Sequence, residues 1–136
     1  MKAIFITGAG QGIGLAIARL FAEKGWLVGL YDINAEVCKA HLEDSLFHNA
    51  VAGFCDVTDV ESVAAALTAF TDASGGQLHV LVNNAGVLSA GNFSDMPAAS
   101  INAMISVNVS GLTTVSHLAF PYLRDTLDSV VLNLCS

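Results

Sequence analysis

A glycine-rich turn between a short apolar run and an amphipathic run constrains the fold of this chain more than any other feature. Residues 3–6 (AIFI) form the apolar run, residues 7–14 (TGAGQGIG) the turn, and apolar residues then recur at helical spacing up to about Lys24. This pattern is typical of a strand that passes into a helix, with glycines allowing close backbone approach. Free N–H groups at a helix start attract anions, so the turn predicts a nucleotide diphosphate site.

A second apolar run, residues 27–31 (LVGLY), ends in Asp32. An acid at this distance from a glycine turn can accept hydrogen bonds from both ribose hydroxyls of a dinucleotide, whereas it repels the 2′-phosphate of the phosphorylated form. The sequence therefore favours NAD over NADP as the cofactor. The alternative is that Asp32 is only an exposed acid at a strand end.

The spacing of the glycines is distinctive. In a G-x-G-x-x-G motif that starts at Gly8 the third glycine would stand at position 13, which is Ile13, so the pattern here is T-G-x-x-x-G-I-G. With residues 83–86 (NNAG), this pattern resembles the short-chain dehydrogenase/reductase family, and the resemblance covers the chain from Met1 to Ser136. It implies an oxidoreductase that interconverts a secondary alcohol and a carbonyl with NAD(P)(H).

Apolar runs alternate with helical patterns along the whole chain. Hydrophobic residues make up 54% and charged residues 12% of the sequence, which suits a buried parallel sheet. We expect a doubly wound, Rossmann-like α/β fold with strand order 3-2-1-4-5. The predicted strands are 3–6, 27–31, 50–55, 78–82 and 130–134, and the predicted helices are 12–24, 35–46, 60–73 and 97–124. Residues 1–136 are then one dinucleotide-binding domain, incomplete at its C-terminal side because the sixth and seventh strands that the resemblance implies are missing.

The resemblance assigns most of the cofactor contacts. It implies that Thr7 orders the phosphate turn, that Asp56 and Val57 meet the adenine ring, and that the NNAG segment lies beside the adenosine ribose. A glycine turn used only for packing, and a helix-capping role for Asp56 or Asp59, are the alternatives. The predicted cofactor-binding residues are therefore Thr7, Gly8, Gln11, Gly12, Ile13, Gly14, Asp32, Asp56, Val57, Asn84, Ala85 and Gly86.

Two residues match catalytic positions of the family. Asn108 lies inside the predicted long helix, where Asn has poor propensity, and the resemblance implies a catalytic Asn that holds a water in a proton relay; an ordinary polar residue facing solvent is the alternative. Ser136, at the end of residues 133–136 (NLCS), matches the catalytic serine that hydrogen-bonds the substrate carbonyl.

The family's Y-x-x-x-K pair, which exchanges the proton, has no match in the sequence. Tyr31 and Tyr122 are followed by Ala35 and Thr126 at the lysine positions. We therefore expect the 136-residue chain alone to be inactive and to be a fragment of a longer enzyme. A non-catalytic dinucleotide-binding or regulatory protein is one alternative, and a methyltransferase with a similar glycine loop is another.

Composition narrows the partners. A net charge of −7 with only five Lys and Arg residues disfavours nucleic acid and anionic membranes. We expect no apolar stretch that approaches membrane-spanning length and no signal sequence, and hence a cytoplasmic protein. Three cysteines and four histidines show no metal-ligand spacing, so no metal site is expected. The partner is then a small-molecule substrate, and the resemblance implies a homo-oligomer, dimer or tetramer, through the long helix of the complete protein.

Overall fold

The computed structural model of this protein describes residues 1–134. Strands and helices alternate along these residues, as the sequence pattern predicts. The strands are β1 (Ala3–Thr7), β2 (Leu27–Asp32), β3 (Ala50–Phe54), β4 (Val80–Asn83) and β5 (Val130–Asn133). The helices are α1 (Gly12–Glu23), α2 (Ala35–His41), α3 (Val60–Ser74), α4 (Ala98–Ile105) and α5 (Leu112–Arg124). A π-helical turn, Ser106–Gly111, joins α4 to α5.

The five strands form one parallel sheet in the order β3-β2-β1-β4-β5. The predicted fold class and strand order are therefore confirmed. The register places Ile4 of β1 opposite Val28 of β2 on one side and opposite Val80 of β4 on the other. The chain reverses its direction of winding at β1, so the carboxyl ends of β1, β2 and β4 meet at the place where open α/β sheets bind ligands.

Alternate residues of β1 enter two apolar layers on opposite faces of the sheet, because side chains alternate along a strand. Phe5 enters the layer beneath α3 and α5, where it stacks on Tyr31 with ring centroids 4.6 Å apart and meets Phe70 edge-on at 5.4 Å. Ile4 and Ile6 enter the layer beneath α1 and α2. All five residues of β1 are buried, which fixes the strand at the centre of the molecule.

The connection after β2 differs from its prediction. Helix α2 ends at His41 rather than near Leu46, and a 3₁₀ turn, Ser45–Phe47, follows it. The carboxylate of Asp44 accepts a hydrogen bond from the Leu46 N–H at 3.0 Å and so begins this new turn. The side chain of Asn34, the residue before α2, makes no capping hydrogen bond, and its backbone N–H donates to Asp32 Oδ1 at 3.0 Å. Such local hydrogen bonds compete with a continuing helix, and the spacing of apolar residues gives no sign of them.

The long helical region was predicted as one uninterrupted helix, and the π-helical turn is a difference from that expectation. The expectation that no apolar stretch approaches membrane-spanning length is also wrong. Residues Ala98–Arg124 form a 27-residue helical stretch that contains an 18-residue window of mean hydropathy 1.2, so the stretch could cross a membrane by length and composition alone. Val115, Ala119 and Leu123 of this stretch are buried against the sheet and α3, whereas only 17% of its apolar window is buried.

A candidate nucleotide-binding site

A cleft of about 410 Å³ lies at the carboxyl ends of β1, β2 and β4. It collects most of the residues that the sequence predicted for the cofactor. Those that line it are Gly8, Gln11, Gly12, Asp32, Asp56, Val57, Asn84, Ala85 and Gly86. Four further residues line it without having been predicted to do so as cofactor contacts, namely Ile33, Cys55, Val87 and Val107. Because they are apolar or carry no formal charge, no motif marked them.

The glycine turn passes close to the segment after β4. Gly8 has φ +64°, and a Cβ there would lie 2.9 Å from both Ala85 Cα and Asn84 Nδ2. A Cβ on Gly14 would collide with the carbonyl oxygen of Gly8 and with Asn84 Nδ2. Gly12 has φ +60° but open space around it. The turn therefore needs glycine at positions 8 and 14 for close packing and at position 12 for its backbone conformation.

Thr7 and Asn84 connect β1 to the segment after β4. The Thr7 hydroxyl accepts hydrogen bonds from the N–H groups of Asn84 at 3.1 Å and Ala85 at 3.0 Å, and it can donate to Val82 O at 3.4 Å. Asn84 Nδ2 donates to the carbonyls of Thr7 at 3.1 Å and Gly8 at 2.9 Å. The Thr7 hydroxyl thus orders the NNAG segment rather than the glycine turn, which corrects the predicted contact.

Asp32 stands at the end of β2 with its carboxylate already oriented. Oδ2 accepts from the Gly10 N–H and Oδ1 from the Asn34 N–H, each at 3.0 Å. A Cβ on Gly10 would lie 2.9 Å from Oδ2, so a larger residue at this position would displace the carboxylate. Each carboxylate oxygen retains acceptor capacity beyond its single backbone partner, and the residue lines the cleft. The group can therefore accept hydrogen bonds from two neighbouring hydroxyls of a ligand.

Asp56 and Val57 line the cleft just after β3. Asp56 Oδ1 accepts from the N–H of Thr58 at 2.9 Å and from its hydroxyl at 2.7 Å, while the cap of α3 is Asp59. Val57 is buried against the π-helical turn, since a Cβ on Gly111 would lie 2.6 Å from Val57 Cγ2. The helix-capping alternative therefore applies to Asp59, and Asp56 keeps its place on the cleft.

The pKa of Cys55, which lines the cleft, is displaced from its ordinary value. Burial is the main cause, and the negative charges of Asp56 and Asp32 add to it, so that the pKa of the thiol rises to about 12. The thiol therefore stays protonated and unreactive near neutral pH. It contributes a small apolar surface to the cleft rather than a nucleophile.

Asn108 lies in the π-helical turn and is bound at both ends of its amide. Oδ1 accepts from the Val87 N–H at 2.9 Å, and Nδ2 donates to Val87 O at 2.8 Å. A Cβ on Gly86 would lie 3.3 Å from Asn108 Oδ1. The side chain therefore secures the loop after β4 rather than simply facing solvent. Ile13 and Asn108 line a second cavity of about 470 Å³, which shares Asn84, Ala85 and Gly86 with the first.

The remaining predicted residues fall into two groups. Thr7 and Gly14 lie behind the cleft and shape it through the contacts described above. Ser136, predicted as a catalytic residue, lies outside the residues that the structure describes. Within residues 1–134, no group of three or more His, Cys, Asp or Glu side chains could hold a metal ion.

The sequence resembles known oxidoreductases along its whole length. Oxidoreductase UcpA of Salmonella typhimurium is 38% identical over 99% of this chain and 51% of the relative. The 7alpha-hydroxysteroid dehydrogenase of Escherichia coli (strain K12) is 36% identical over 99% of this chain and 53% of the relative. The chain thus spans about half the length of the curated relatives it matches.

Solved structures with the same arrangement contain a dinucleotide. The 3-ketoacyl-(acyl-carrier-protein) reductase from Brucella melitensis, complexed with NADH, superimposes with a TM-score of 0.93 at 27% identity over 99% of this chain and 57% of that one. A 7 alpha-hydroxysteroid dehydrogenase complexed with NADH and 7-oxo glycochenodeoxycholic acid gives a TM-score of 0.91 at 34% identity over 99% of this chain and 53% of that one. The family model described as short chain dehydrogenase matches residues 2–136. With this match, the Rossmann-like sheet and the cleft at its switch point, the chain belongs to the short-chain dehydrogenase family.

Proposed function

We propose that this chain is the dinucleotide-binding part of a longer oxidoreductase that interconverts a secondary alcohol and its carbonyl, with NAD(H) preferred over NADP(H). The observation that carries the proposal is the carboxylate of Asp32, which lines the cleft and is held there by the Gly10 and Asn34 N–H groups. An acid so oriented accepts ribose hydroxyls and repels a 2′-phosphate. Neither Gln11 nor Ile33, its neighbours on the cleft, supplies a positive charge to offset that repulsion.

The residues of the cleft divide the dinucleotide between them. The diphosphate lies on the turn at residues 11–13, where α1 begins and its N–H groups have no helical partner. Asp32 takes the adenosine ribose, and Asp56 with Val57 takes the adenine. Asn84, Ala85 and Gly86 lie beside the ribose, where the tight contact with Gly8 brings the two segments together.

The nicotinamide ring, when bound, supplies the hydride. In this proposal Asn108 helps to relay the proton, and Ser136 hydrogen-bonds the substrate carbonyl. The sequence contains no Y-x-x-x-K, so the 136-residue chain lacks the acid/base pair and does not turn over on its own. The remainder of the enzyme would supply that pair and form the homo-oligomer.

The experiment uses the protein expressed from its native gene. Its intact mass is measured first, and a value close to twice 14.1 kDa is expected because the chain covers 51% of UcpA. NADH oxidation is then followed with a panel of ketones and aldehydes, including steroid ketones. Oxidation with one of them supports the proposal, and failure of a confirmed full-length protein with every carbonyl contradicts it.

A second candidate function is a non-catalytic dinucleotide-binding protein. The cleft favours it, because binding a dinucleotide there needs none of the catalytic residues. It predicts an intact mass near 14.1 kDa and NAD affinity without turnover. The mass measurement therefore separates the two candidates before any assay is run.

A further inference from the structure

We propose that His41 is a positioning residue for the nucleotide, acting through the carbonyl of Gly10; the inference rests on the proposed NAD-binding function. His41 is the last residue of α2 and is partly buried. Its Nε2 lies 2.9 Å from Gly10 O. Because a carbonyl oxygen only accepts, the ring nitrogen donates this hydrogen bond. No motif marks His41, since it follows the glycine turn by a whole strand and helix.

The bond matters because Gly10 is buried within the turn, so that both of its backbone polar groups need partners inside the protein. Its N–H donates to Asp32 Oδ2 at 3.0 Å. Its carbonyl has the imidazole of His41. The preceding residue is also fixed, since the Ala9 N–H donates to Tyr31 O at 3.1 Å. Strand β2 and helix α2 thus hold this part of the turn from one side, and His41 is the contribution of α2.

The orientation of the Gly10 carbonyl sets that of the next amide. A peptide unit is planar and trans, so the N–H of Gln11 points to the side opposite the Gly10 oxygen. With the oxygen fixed on His41, the Gln11 N–H points away from α2, and Gln11 lines the cleft. Without the imidazole, the Gly10–Gln11 peptide would be free to rotate. Rotation would move the Gln11 amide and would also strain the bond between Gly10 and Asp32.

Loss of His41 should therefore reduce the fraction of protein whose turn can bind the nucleotide, and the apparent Kd rises in inverse proportion to that fraction. The loss of one hydrogen bond predicts a weakening of NAD binding by about 5- to 10-fold. His41→Phe is the sharpest variant, because it keeps a ring beside Phe47, whose centroid is 6.3 Å from that of His41, and removes the donor. His41→Gln restores a side-chain N–H donor and should recover most of the affinity.

His48 offers a matched control. Its Nδ1 lies 3.2 Å from Ser45 O, so it also joins an imidazole to a backbone carbonyl, but it is exposed and borders a groove at the amino end of the sheet. His48→Phe should leave NAD binding unchanged. His41→Met, which donates no hydrogen bond and adapts its shape, serves as a second variant should the Phe variant not fold.

The test is calorimetric titration of NAD into the protein expressed from the native gene, with amide hydrogen exchange of the unliganded protein. We expect weaker NAD binding and faster exchange at Gly10 in His41→Phe, with both restored in His41→Gln. A purely structural role would accelerate exchange along α2 without changing the Kd. Wild-type affinity in both His41→Phe and His41→Met overturns the inference. Failure of the wild-type protein to bind NAD instead overturns the proposed function, and the inference falls with it.

Discussion

The centre of the sheet and its β5 end are built differently. At β1 and β2 the strand residues are almost all buried, and both backbone polar groups of Gly10 in the turn are hydrogen-bonded within the chain, to Asp32 and His41. At β5 the residues Val130, Val131 and Leu132 remain 56%, 42% and 44% exposed. The groups proposed to hold the nucleotide are therefore oriented before any ligand binds, whereas the β5 side is not enclosed by the described residues.

The same contrast appears in the polar groups between β4 and β5. Asn83 is buried, and its Nδ2 donates to Ser116 Oγ at 3.0 Å and to Asn133 Oδ1 at 2.9 Å. Its Oδ1 is buried without a hydrogen-bond partner among the described residues. A buried acceptor without a partner costs free energy. The β5 side is therefore less completely satisfied than the β1–β2 side.

The largest expected effect compares equivalent substitutions on neighbouring strands. Leu81 of β4 is fully buried, whereas Leu132 of β5 is 44% exposed. Leu81→Ala should lower the free energy of unfolding of the 136-residue chain by about 2–5 kcal/mol, because it leaves a cavity. Leu132→Ala should lower it by about 1 kcal/mol or less, since little apolar area is lost. Urea denaturation measures both free energies of unfolding, and equal losses would contradict the difference in packing between β4 and β5.

Gly14→Ala tests the packing of the glycine turn. The added methyl group would collide with Gly8 O and Asn84 Nδ2, so we expect destabilisation by about 1–3 kcal/mol and loss of measurable NAD binding. Gly25→Ala is the control, because Gly25, which has φ +76°, has open space around it and lies outside the cleft. It should be destabilised by backbone strain alone and should bind NAD normally. Thermal melting and calorimetry measure the two effects, and normal NAD binding by Gly14→Ala would contradict the proposed turn.

Asp32→Ala tests the proposed ribose contact. Loss of hydrogen bonds to a charged group predicts NAD binding about 10- to 100-fold weaker, with much less discrimination against NADP. Asp59→Ala is the control, because Asp59 accepts from the Glu61 N–H at 3.0 Å as the cap of α3. It should cost about 1 kcal/mol of stability and leave the Kd unchanged. An unchanged NAD Kd in Asp32→Ala would place the adenosine ribose elsewhere.

Asn108→Ala tests the β4 side of the site. The substitution removes both hydrogen bonds to the Val87 backbone, and it should destabilise the protein by about 1–2 kcal/mol. NAD binding by the full-length protein should weaken less than in Asp32→Ala, while turnover should be lost. Thr113→Ala, which removes a single hydrogen bond to Val109 O at 2.9 Å in the same helical stretch, is the control for helix stability. Full turnover in Asn108→Ala would remove Asn108 from the proposed proton relay.

The smallest expected effect is a pH dependence at the opposite end of the sheet. His79 Nδ1 accepts from the Ala3 N–H at 3.1 Å. Burial, and then the positive charges of Lys2 and the N-terminus, lower the pKa of His79 below 6.5. The unfolded chain then binds more protons, so this contribution to stability is present above pH 6.5 and is lost as the pH falls through the lowered pKa.

His79→Asn keeps an acceptor for the Ala3 N–H and removes the titration. The difference in Tm between pH 7.5 and pH 5.5 should therefore be smaller in this variant than in the wild-type protein. His117→Gln, a change at an exposed histidine of α5, should leave that difference as it is. An identical pH dependence in His79→Asn and the wild-type protein would show that the ring is equally protonated in the folded and unfolded states.

The sheet could be predicted from sequence because its signals are local. Apolar runs, glycines and acids at strand ends can each be recognised within a few neighbouring residues. The run at 3–6, the turn at 7–14 and Asp32 identify the first unit of a Rossmann-like fold, and the strand order 3-2-1-4-5 is that of this fold. The early end of α2 could not be predicted, because the acid that begins the next turn, Asp44, competes with a continuing helix. Nor could the π-helical turn, which forms where Asn108 binds Val87 and Gly111 packs on Val57.

The candidate site divides in the same way. The glycines and Asp32 were predictable, since their residue types carry the chemistry of phosphate and ribose binding. His41 was not, because only the folded chain brings it within 2.9 Å of Gly10 O. The role of Ser136, the cellular location and the oligomeric state remain predictions.

The proposed preference for NAD is tested by calorimetric titration of NAD and of NADP into the protein expressed from its native gene. The oriented carboxylate of Asp32 predicts saturable NAD binding at one site per chain, at least about tenfold tighter than NADP. No binding of either dinucleotide, or tighter binding of NADP, would contradict the account.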